Sequence, residues 1–159
     1  MVKMRTGIAP ELRSTAWVGP EGTPIAPVRL AAFEGKFKVV YCFQSWCPGC
    51  HSKGLPDLKK MVDALKGNDE VVFLAVQTVF EGHDQNTYAK MLEVQKQYDL
   101  AIPFGHDAGA DGTSMSTLME DYQTGGTPWF LLIDQKNRVV FSDFHINPEA
   151  VIDVLKQIT

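Results

Sequence analysis

Residues 39–50 read VVYCFQSWCPGC, an apolar run followed closely by two cysteines with two residues between them. The run at 39–43 is short and rich in β-branched and aromatic residues, which predicts a buried strand. Beyond it, leucine and valine recur with helical spacing as far as about Lys66, which predicts a helix that begins at the cysteines. The strand therefore delivers Cys47 to the first turn of a helix.

The rest of the chain alternates between strand-like and helix-like patterns. The predicted elements are a strand at 71–76, a helix at about 85–98, a short strand at 101–104, a short helix at 113–122, a hairpin of strands at 129–133 and 138–141, and a last helix that Asn147 caps before Pro148. The early alternation predicts parallel pairing, and the late hairpin adds an antiparallel edge. We expect an α/β three-layer sandwich in which helices flank a central mixed β-sheet.

The first 28 residues differ in composition from the remainder because they hold four of the nine prolines. They are predicted to form an irregular lead-in, with a short hairpin about residues 19–22, that packs on a domain spanning 29–159. A chain of 159 residues suits a single domain.

Charge and hydropathy exclude several classes of function. The net charge of -4 is opposite to the basic footprint that nucleic-acid binding needs. No apolar run approaches the ~18 residues of a membrane-spanning helix. The first seven residues are positively charged without a following apolar run, so the printed sequence predicts a cytoplasmic protein; prior removal of a signal peptide would leave the same sequence and allow a periplasmic location.

The two paired cysteines have the spacing of a redox pair. If Cys47 is the N-cap and Pro48 the first helical residue, the Cys47 sulfur faces the N–H groups of Gly49 and Cys50. Those donors and the helix dipole favour a thiolate. Cys50 follows one turn later on the same face, where it can close a disulfide with Cys47. The pattern predicts thiol–disulfide exchange, with Cys47 attacking and Cys50 resolving the mixed disulfide.

Two separate motifs carry a family resemblance. Trp46 to Cys50 after a buried strand, together with Thr127-Pro128 at the start of a later strand, resemble the thioredoxin superfamily. Residues 30–37 and 126–134 resemble its TlpA-like redoxin branch, which is related to the AhpC/TSA proteins, as does an extra helix before the Thr127-Pro128 strand. The resemblance covers roughly residues 10 to 159.

This resemblance implies a thioredoxin-like fold and a thiol:disulfide oxidoreductase. It makes Cys47 the nucleophile and Cys50 the resolving thiol, and places Trp46 beside the reactive sulfur. Thr127, before a proline compatible with a cis peptide bond at Pro128, would offer backbone groups to a substrate strand. The expected partners are a disulfide- or dithiol-bearing protein and an upstream thiol donor; we expect a monomer with a redox-active disulfide and neither a metal nor another cofactor.

Three positions depart from the family pattern. Thioredoxins keep a buried acid six residues before the first cysteine, where this chain has Tyr41. Many TlpA-like proteins have a glutamate three residues after the second cysteine, where this chain has Lys53, and the helix proline falls one residue late, at Pro56. A lysine near the cysteines would favour thiolates and make the disulfide more oxidising.

Other functions share parts of the same pattern. Cys-x-x-Cys-His, ending at His51, also spells a haem attachment site, and Cys47, Cys50 and His51 offer three zinc ligands without a second pair. A peroxiredoxin-like thiol peroxidase is a further alternative, although Cys47 lacks the Pro-x-x-x-Thr/Ser-x-x-Cys element of that class. A redox-inactive binding module with the same fold is another. Cys42, within the apolar run, is predicted to be an inert core thiol.

Overall fold

Residues 7–158 are described by a computed structural model. Residues 1–6, which contain the start of the predicted lead-in and its positive charges, lie outside the described residues, and so does Thr159. Within the described part, no helix combines the length and apolar character that a membrane crossing requires.

Within residues 7–158, seven strands form one mixed sheet in the order β2-β1-β5-β4-β3-β6-β7. Their bounds are β1 Ala16–Val18, β2 Pro24–Ile25, β3 Phe37–Phe43, β4 Val71–Thr78, β5 Phe104–Asp107, β6 Trp129–Ile133 and β7 Val139–Asp143. β3 lies at the centre, parallel to β4 and antiparallel to β6. The predicted mixed sheet and the β6–β7 hairpin are confirmed, whereas the strand predicted at 101–104 begins only at Phe104.

Four α-helices flank the sheet, as the three-layer prediction requires. They are α1 Leu55–Ala64, α2 Tyr88–Gln97, α3 Thr117–Tyr122 and α4 Pro148–Leu155. The Asn147 side chain accepts a hydrogen bond from the Ala150 N–H, so the predicted N-cap before Pro148 is confirmed. α2 and α3 are shorter than predicted because Thr87 and Ser116 cap them.

The central strand contributes alternate side chains to two cores, as the two-residue period of a strand dictates. Val39, Tyr41 and Phe43 face the core formed with α1, α2 and α4. Val40 and Cys42 face a second core on the other side of the sheet, which α3 closes together with residues of the lead-in. Both faces of β3 are buried, which explains its continuous apolar sequence.

The lead-in is more regular than its composition predicts. The hairpin about 19–22 is present, closed by hydrogen bonds between Gly19 and Thr23 and between Gly22 and Gly19. Its first strand, β1, pairs with β5 and places Trp17 in the second core, where the indole is 1% exposed. The lead-in therefore extends the sheet and covers one face of it.

The helix that starts at the cysteines contains a π-helical turn at Cys50–Gly54. There the Leu55 N–H donates to the Cys50 carbonyl, five residues back. A π-turn accommodates one more residue than an α-turn, which accounts for Pro56 falling one residue later than the family pattern expects.

Gly54 in this turn leaves room for the Tyr41 side chain. A Cβ at Gly54 would lie 2.2 Å from the Tyr41 Oη and 2.9 Å from two of its ring carbons. Tyr41 is fully buried, and its hydroxyl donates to the Cys50 carbonyl at 3.3 Å. The strand and the cysteine turn are therefore packed against each other through Tyr41.

Replacing Gly54 with alanine should destabilise the protein. Glycine to alanine in a helix ordinarily stabilises by about 0.5–1 kcal/mol, but overpacking a core costs about 1–3 kcal/mol. We expect Gly54→Ala to lower the free energy of unfolding measured in urea, while Ser52→Ala, on the exposed side of the turn, leaves it nearly unchanged. Equal stability of Gly54→Ala and the parent chain would contradict the close packing of Tyr41.

Candidate active site

The Cys47 sulfur lies at the start of the helix that follows β3. The Cys50 N–H donates to Cys47 Sγ at 3.1 Å, and the His51 N–H donates to the Cys47 carbonyl at 3.3 Å. This is the N-cap arrangement that the sequence predicts, with a sulfur atom in place of the usual oxygen. Cys47 is 8% exposed, so its sulfur is only slightly accessible to solvent.

Hydrogen bonds lower the pKa of Cys47 to about 6. The main cause is the Cys50 thiol, and the Thr127 side chain and the N–H groups of Cys50 and Gly49 add to it. These donors favour the charged form and outweigh burial, which opposes it. A thiol with this pKa is largely a thiolate at neutral pH.

Cys50 has the opposite character. It is fully buried, and burial raises the pKa of its thiol, with the hydrogen bond to Cys47 adding to the effect. Two hydrogen bonds act in the other direction and lower the pKa of Cys50, the larger from the Gln44 backbone and the smaller from the Tyr41 side chain. Burial and the neighbouring cysteines raise the pKa of Tyr41 well above its ordinary value, so its hydroxyl is a donor.

The fold brings the sequence-predicted site residues together from distant parts of the chain. The Thr127–Pro128 peptide bond is cis. A Cβ at Gly49 would lie 3.4 Å from Pro128 Cδ, so this loop covers the cysteine turn. On another side Trp46 is 47% exposed, and its ring edge lies so close to Gly82 that a Cβ there would be 2.5 Å from it.

Three amide side chains hold the loop before Cys47, and the sequence analysis did not select them. Gln44 Oε1 accepts from the N–H groups of Phe80 and Glu81. Asn86 Oδ1 accepts from the Trp46 N–H, and Gln77 Oε1 accepts from the N–H and hydroxyl of the intervening serine. Gln77 follows the apolar run of β4, one residue before the strand ends, and is fully buried. An amide directly after a strand-like apolar run was the sequence signal that could have indicated this role.

His51 and Lys53, which follow the cysteines, both have side-chain partners. His51 is half-buried, with Nε2 2.6 Å from the carbonyl of Ser45 and Nδ1 2.6 Å from the Tyr98 hydroxyl, so both ring nitrogens are engaged. Lys53 pairs with Asp57 at 2.7 Å in the same helical segment, and its predicted effect on the cysteines stays a prediction. Among the described residues no group of three or more His, Cys, Asp or Glu is arranged to hold a metal ion.

Cys42 lies in the second core, away from the reactive pair. It is fully buried in β3, where its register partners are Val76 on β4 and Trp129 on β6. Burial raises the pKa of its thiol far above the ordinary value, as expected for an unreactive core cysteine.

Comparison with known proteins identifies the family of this chain. The model of the family described as Redoxin matches residues 9–158. The chain belongs to the redoxin family. The comparison with curated proteins gives no match.

This redoxin is similar to solved structures of thioredoxin-like proteins, including thiol-disulfide oxidoreductases. A thioredoxin-like superfamily protein is 31% identical with a TM-score of 0.80, over 96% of this chain and 98% of the other. A thiol-disulfide isomerase from Corynebacterium glutamicum is 25% identical with a TM-score of 0.76, over 95% and 98%. A secreted disulfide oxidoreductase from Mycobacterium tuberculosis, homologous to Escherichia coli DsbE, shares the fold at 17% identity and a TM-score of 0.61, over 91% and 94%. The predicted thioredoxin-like fold is confirmed.

The lowered pKa of Cys47 in this redoxin predicts the pH dependence of its alkylation. Thiolate is the reactive form, so the rate with iodoacetamide should rise as the pH increases through about 6 and level off above it. For an ordinary cysteine, the midpoint of this rise in alkylation rate lies at about pH 8.5. The rate is measured by mass spectrometry of the peptide that contains Cys47.

Two variants of Cys50 separate its hydrogen bond from the other donors. Cys50→Ala removes the strongest donor and should move the midpoint to higher pH, whereas Cys50→Ser keeps a hydroxyl and should move it less. An unchanged midpoint in Cys50→Ala would show that the Cys50 thiol does not stabilise the thiolate.

Proposed function

We propose that this chain catalyses thiol–disulfide exchange with protein substrates through Cys47 and Cys50. The observation that supports this most directly is the pairing of a low-pKa sulfur with a buried thiol that donates to it. One group is prepared to attack a disulfide, and the other is held in reserve beside it. The electrons reside in the two sulfurs, so the proposed reaction needs no bound metal or organic cofactor.

In the reducing direction the reaction has two steps. The Cys47 thiolate attacks one sulfur of the substrate disulfide, the substrate S–S bond breaks, and the released substrate thiolate takes up a proton. Cys50 then loses its proton and attacks the Cys47 sulfur, which frees the second substrate thiol. The substrate gains two electrons and the chain is left with a Cys47–Cys50 disulfide, which an upstream dithiol reduces. The reverse sequence oxidises a substrate dithiol.

The second step requires Cys50 to ionise in a buried site. Once Cys47 is in a mixed disulfide, it no longer carries the charge that opposes ionisation of Cys50. Tyr41 remains as a hydrogen-bond donor to the new thiolate, because its own raised pKa keeps the phenol protonated. Tyr41 is proposed as the positioning residue for the resolving thiol, at the place where thioredoxins keep an acid.

The substrate is proposed to lie as an extended strand between Trp46 and Thr127. The Thr127 side chain already donates to the Cys47 sulfur, so the backbone of this loop is close to the bond that exchanges. Trp46 presents an exposed ring beside the same sulfur. In this proposal the chain acts as a monomer on a protein disulfide or dithiol.

Insulin reduction with dithiothreitol tests the proposed function. We expect the chain to accelerate insulin precipitation and Cys47→Ser to reduce the rate to that of dithiothreitol alone. When Cys50→Ser is mixed with disulfide-bearing substrate in the absence of dithiothreitol, the mixed disulfide should persist and be visible as a covalent adduct on a non-reducing gel. Cys42→Ser, which removes the core thiol, should keep its activity if it folds.

The outcomes distinguish the alternatives. Equal rates of insulin reduction for the parent chain and Cys47→Ser would contradict the proposed function and favour a binding module whose cysteines take no part in catalysis. Peroxide consumption that depends on Cys47 in the absence of insulin activity would make the chain a thiol peroxidase, although Val40 and Gln44 stand where that class has its proline and Thr/Ser.

Tyr41→Phe should slow the second step selectively. Loss of the hydroxyl should raise the pKa of Cys50 in the mixed disulfide, so the pH profile for release of the substrate moves to higher pH while alkylation of Cys47 is little changed. Single-turnover stopped-flow measurements from pH 6 to 10 follow this release.

Tyr122→Phe is the matched control for the loss of a buried tyrosine hydroxyl. The Tyr122 hydroxyl donates to the Pro10 carbonyl, on the other face of the sheet from Cys50. Its removal should leave the pH profile for release in place. Identical profiles for Tyr41→Phe and the parent chain would remove Tyr41 from the mechanism.

A further inference from the structure

Four loops are linked by contacts to the segment that carries Trp46 and Cys47, and we call their outer surface together with the Trp46 side chain the docking face. They are residues 79–87, 108–117, 123–128 and 142–147. Gly82 in the first loop contacts Trp46, and His83 Nε2 lies 2.8 Å from the Ser114 carbonyl in the second. The third loop carries Thr127, and Phe144 in the fourth packs against its glycines. The four loops therefore form one continuous surface.

The docking face exposes three large apolar side chains. Trp46 is 47% exposed, Met115 49% and Phe144 36%. Phe144 also packs on Trp129, with ring centroids 4.6 Å apart, so its position is fixed by the core. Exposed apolar groups in one area typically mark a surface that binds another protein.

The charges on the docking face have a single sign. Glu81, Asp84, Asp111 and Asp143 are all exposed, and none of the four loops contains a lysine or arginine. Among residues 7–158, no lysine or arginine forms an ion pair with any of these carboxylates. The apolar groups are therefore bordered by unneutralised negative charge.

The nearest cations are already compensated, and others lie at the far end of the sheet. Arg13, beside the 108–112 segment, is held by both carboxylate oxygens of Asp121. Lys53 pairs with Asp57. Lysines 36, 59 and 66 line a cavity at the opposite end of the strands, together with Asp63, Asp69 and Asp99. Charges of both signs are therefore mixed there, whereas the four loops of the docking face carry carboxylates and no lysine or arginine.

We propose that the docking face selects protein substrates whose exchanging cysteines are flanked by lysine or arginine. This rests on the proposed function and names the partner's chemistry. An apolar residue beside the substrate cysteine would cover Trp46 or Phe144, and basic neighbours would face Glu81 and Asp84 on one side and Asp143 on the other. Opposite charges at the border of an interface accelerate encounter and exclude partners of the same sign.

Three disulfide peptides test this selection. They share one sequence, with an apolar residue beside each cysteine, and differ only in the flanking positions, which are lysine, glutamine or glutamate. The second-order rate constant for reduction is measured with dithiothreitol as the electron source and its uncatalysed rate subtracted. At low salt we expect the lysine peptide to react about tenfold faster than the glutamate peptide, and at about 0.5 M salt the ratio should fall to about twofold.

Matched variants locate the effect on the docking face. Glu81→Gln/Asp84→Asn removes two negative charges beside Trp46 and should lower the lysine-to-glutamate ratio at low salt to about a third of its value. Asp69→Asn/Asp153→Asn removes two exposed charges in the turn before β4 and in α4, and should leave the ratio unchanged. Net charge changes equally in both variants, so only the position of the charges differs.

Each outcome has a separate meaning. If the glutamine peptide is reduced but all three peptides react at the same rate at low salt, the docking proposal is wrong and thiol–disulfide exchange stands. An equal fall in the ratio for both double variants would make the preference a property of net charge, and would also overturn the proposal. If none of the peptides is reduced, the proposed function itself fails.

Discussion

The hydrogen bonds that converge on the Cys47 sulfur are the interaction on which the rest of the site depends. Two of them come from N–H groups that the start of a helix leaves without partners, so they are present whenever the helix forms. The other two come from the Cys50 thiol and the Thr127 side chain, which the fold has to bring to the sulfur. Together they turn an ordinary thiol into one that is ionised at neutral pH.

The same region shows how a change in a motif is absorbed by packing. A tyrosine in place of the family's buried acid needs more space, and Gly54 provides it. The later position of Pro56 is accommodated by the π-turn at Cys50–Gly54. These departures lie within one contact region, where the Tyr41 hydroxyl meets the Cys50 carbonyl and thiol. They are best understood as one coupled arrangement that keeps a polar donor beside the buried cysteine.

The lead-in and the amide side chains support the site indirectly. The lead-in closes the second core and extends the sheet, so that β3 is buried on both faces and holds its end in a defined position. From that end, Gln44, Gln77 and Asn86 tie the cysteine loop to the loop that follows β4. The loop carrying the proposed acidic border is thereby held beside Trp46.

From β3 onward, the sequence by itself determined the order of strands and helices, and it placed the Cys47–Cys50 pair at the start of a helix. These features depend on the period of apolar residues, on helix capping and on the two-residue spacing of the cysteines. All three involve residues close together in the sequence. The role of the lead-in, the amide network and the contacts of His51 were decided only by the tertiary structure. They depend on residues that are far apart in the sequence: the His51 ring meets Tyr98, 47 positions away, and Trp17 had to meet β5 before its segment became a strand. A local sequence pattern does not determine which neighbours a polar or aromatic side chain finally contacts, because those neighbours are set by the packing of the whole sheet.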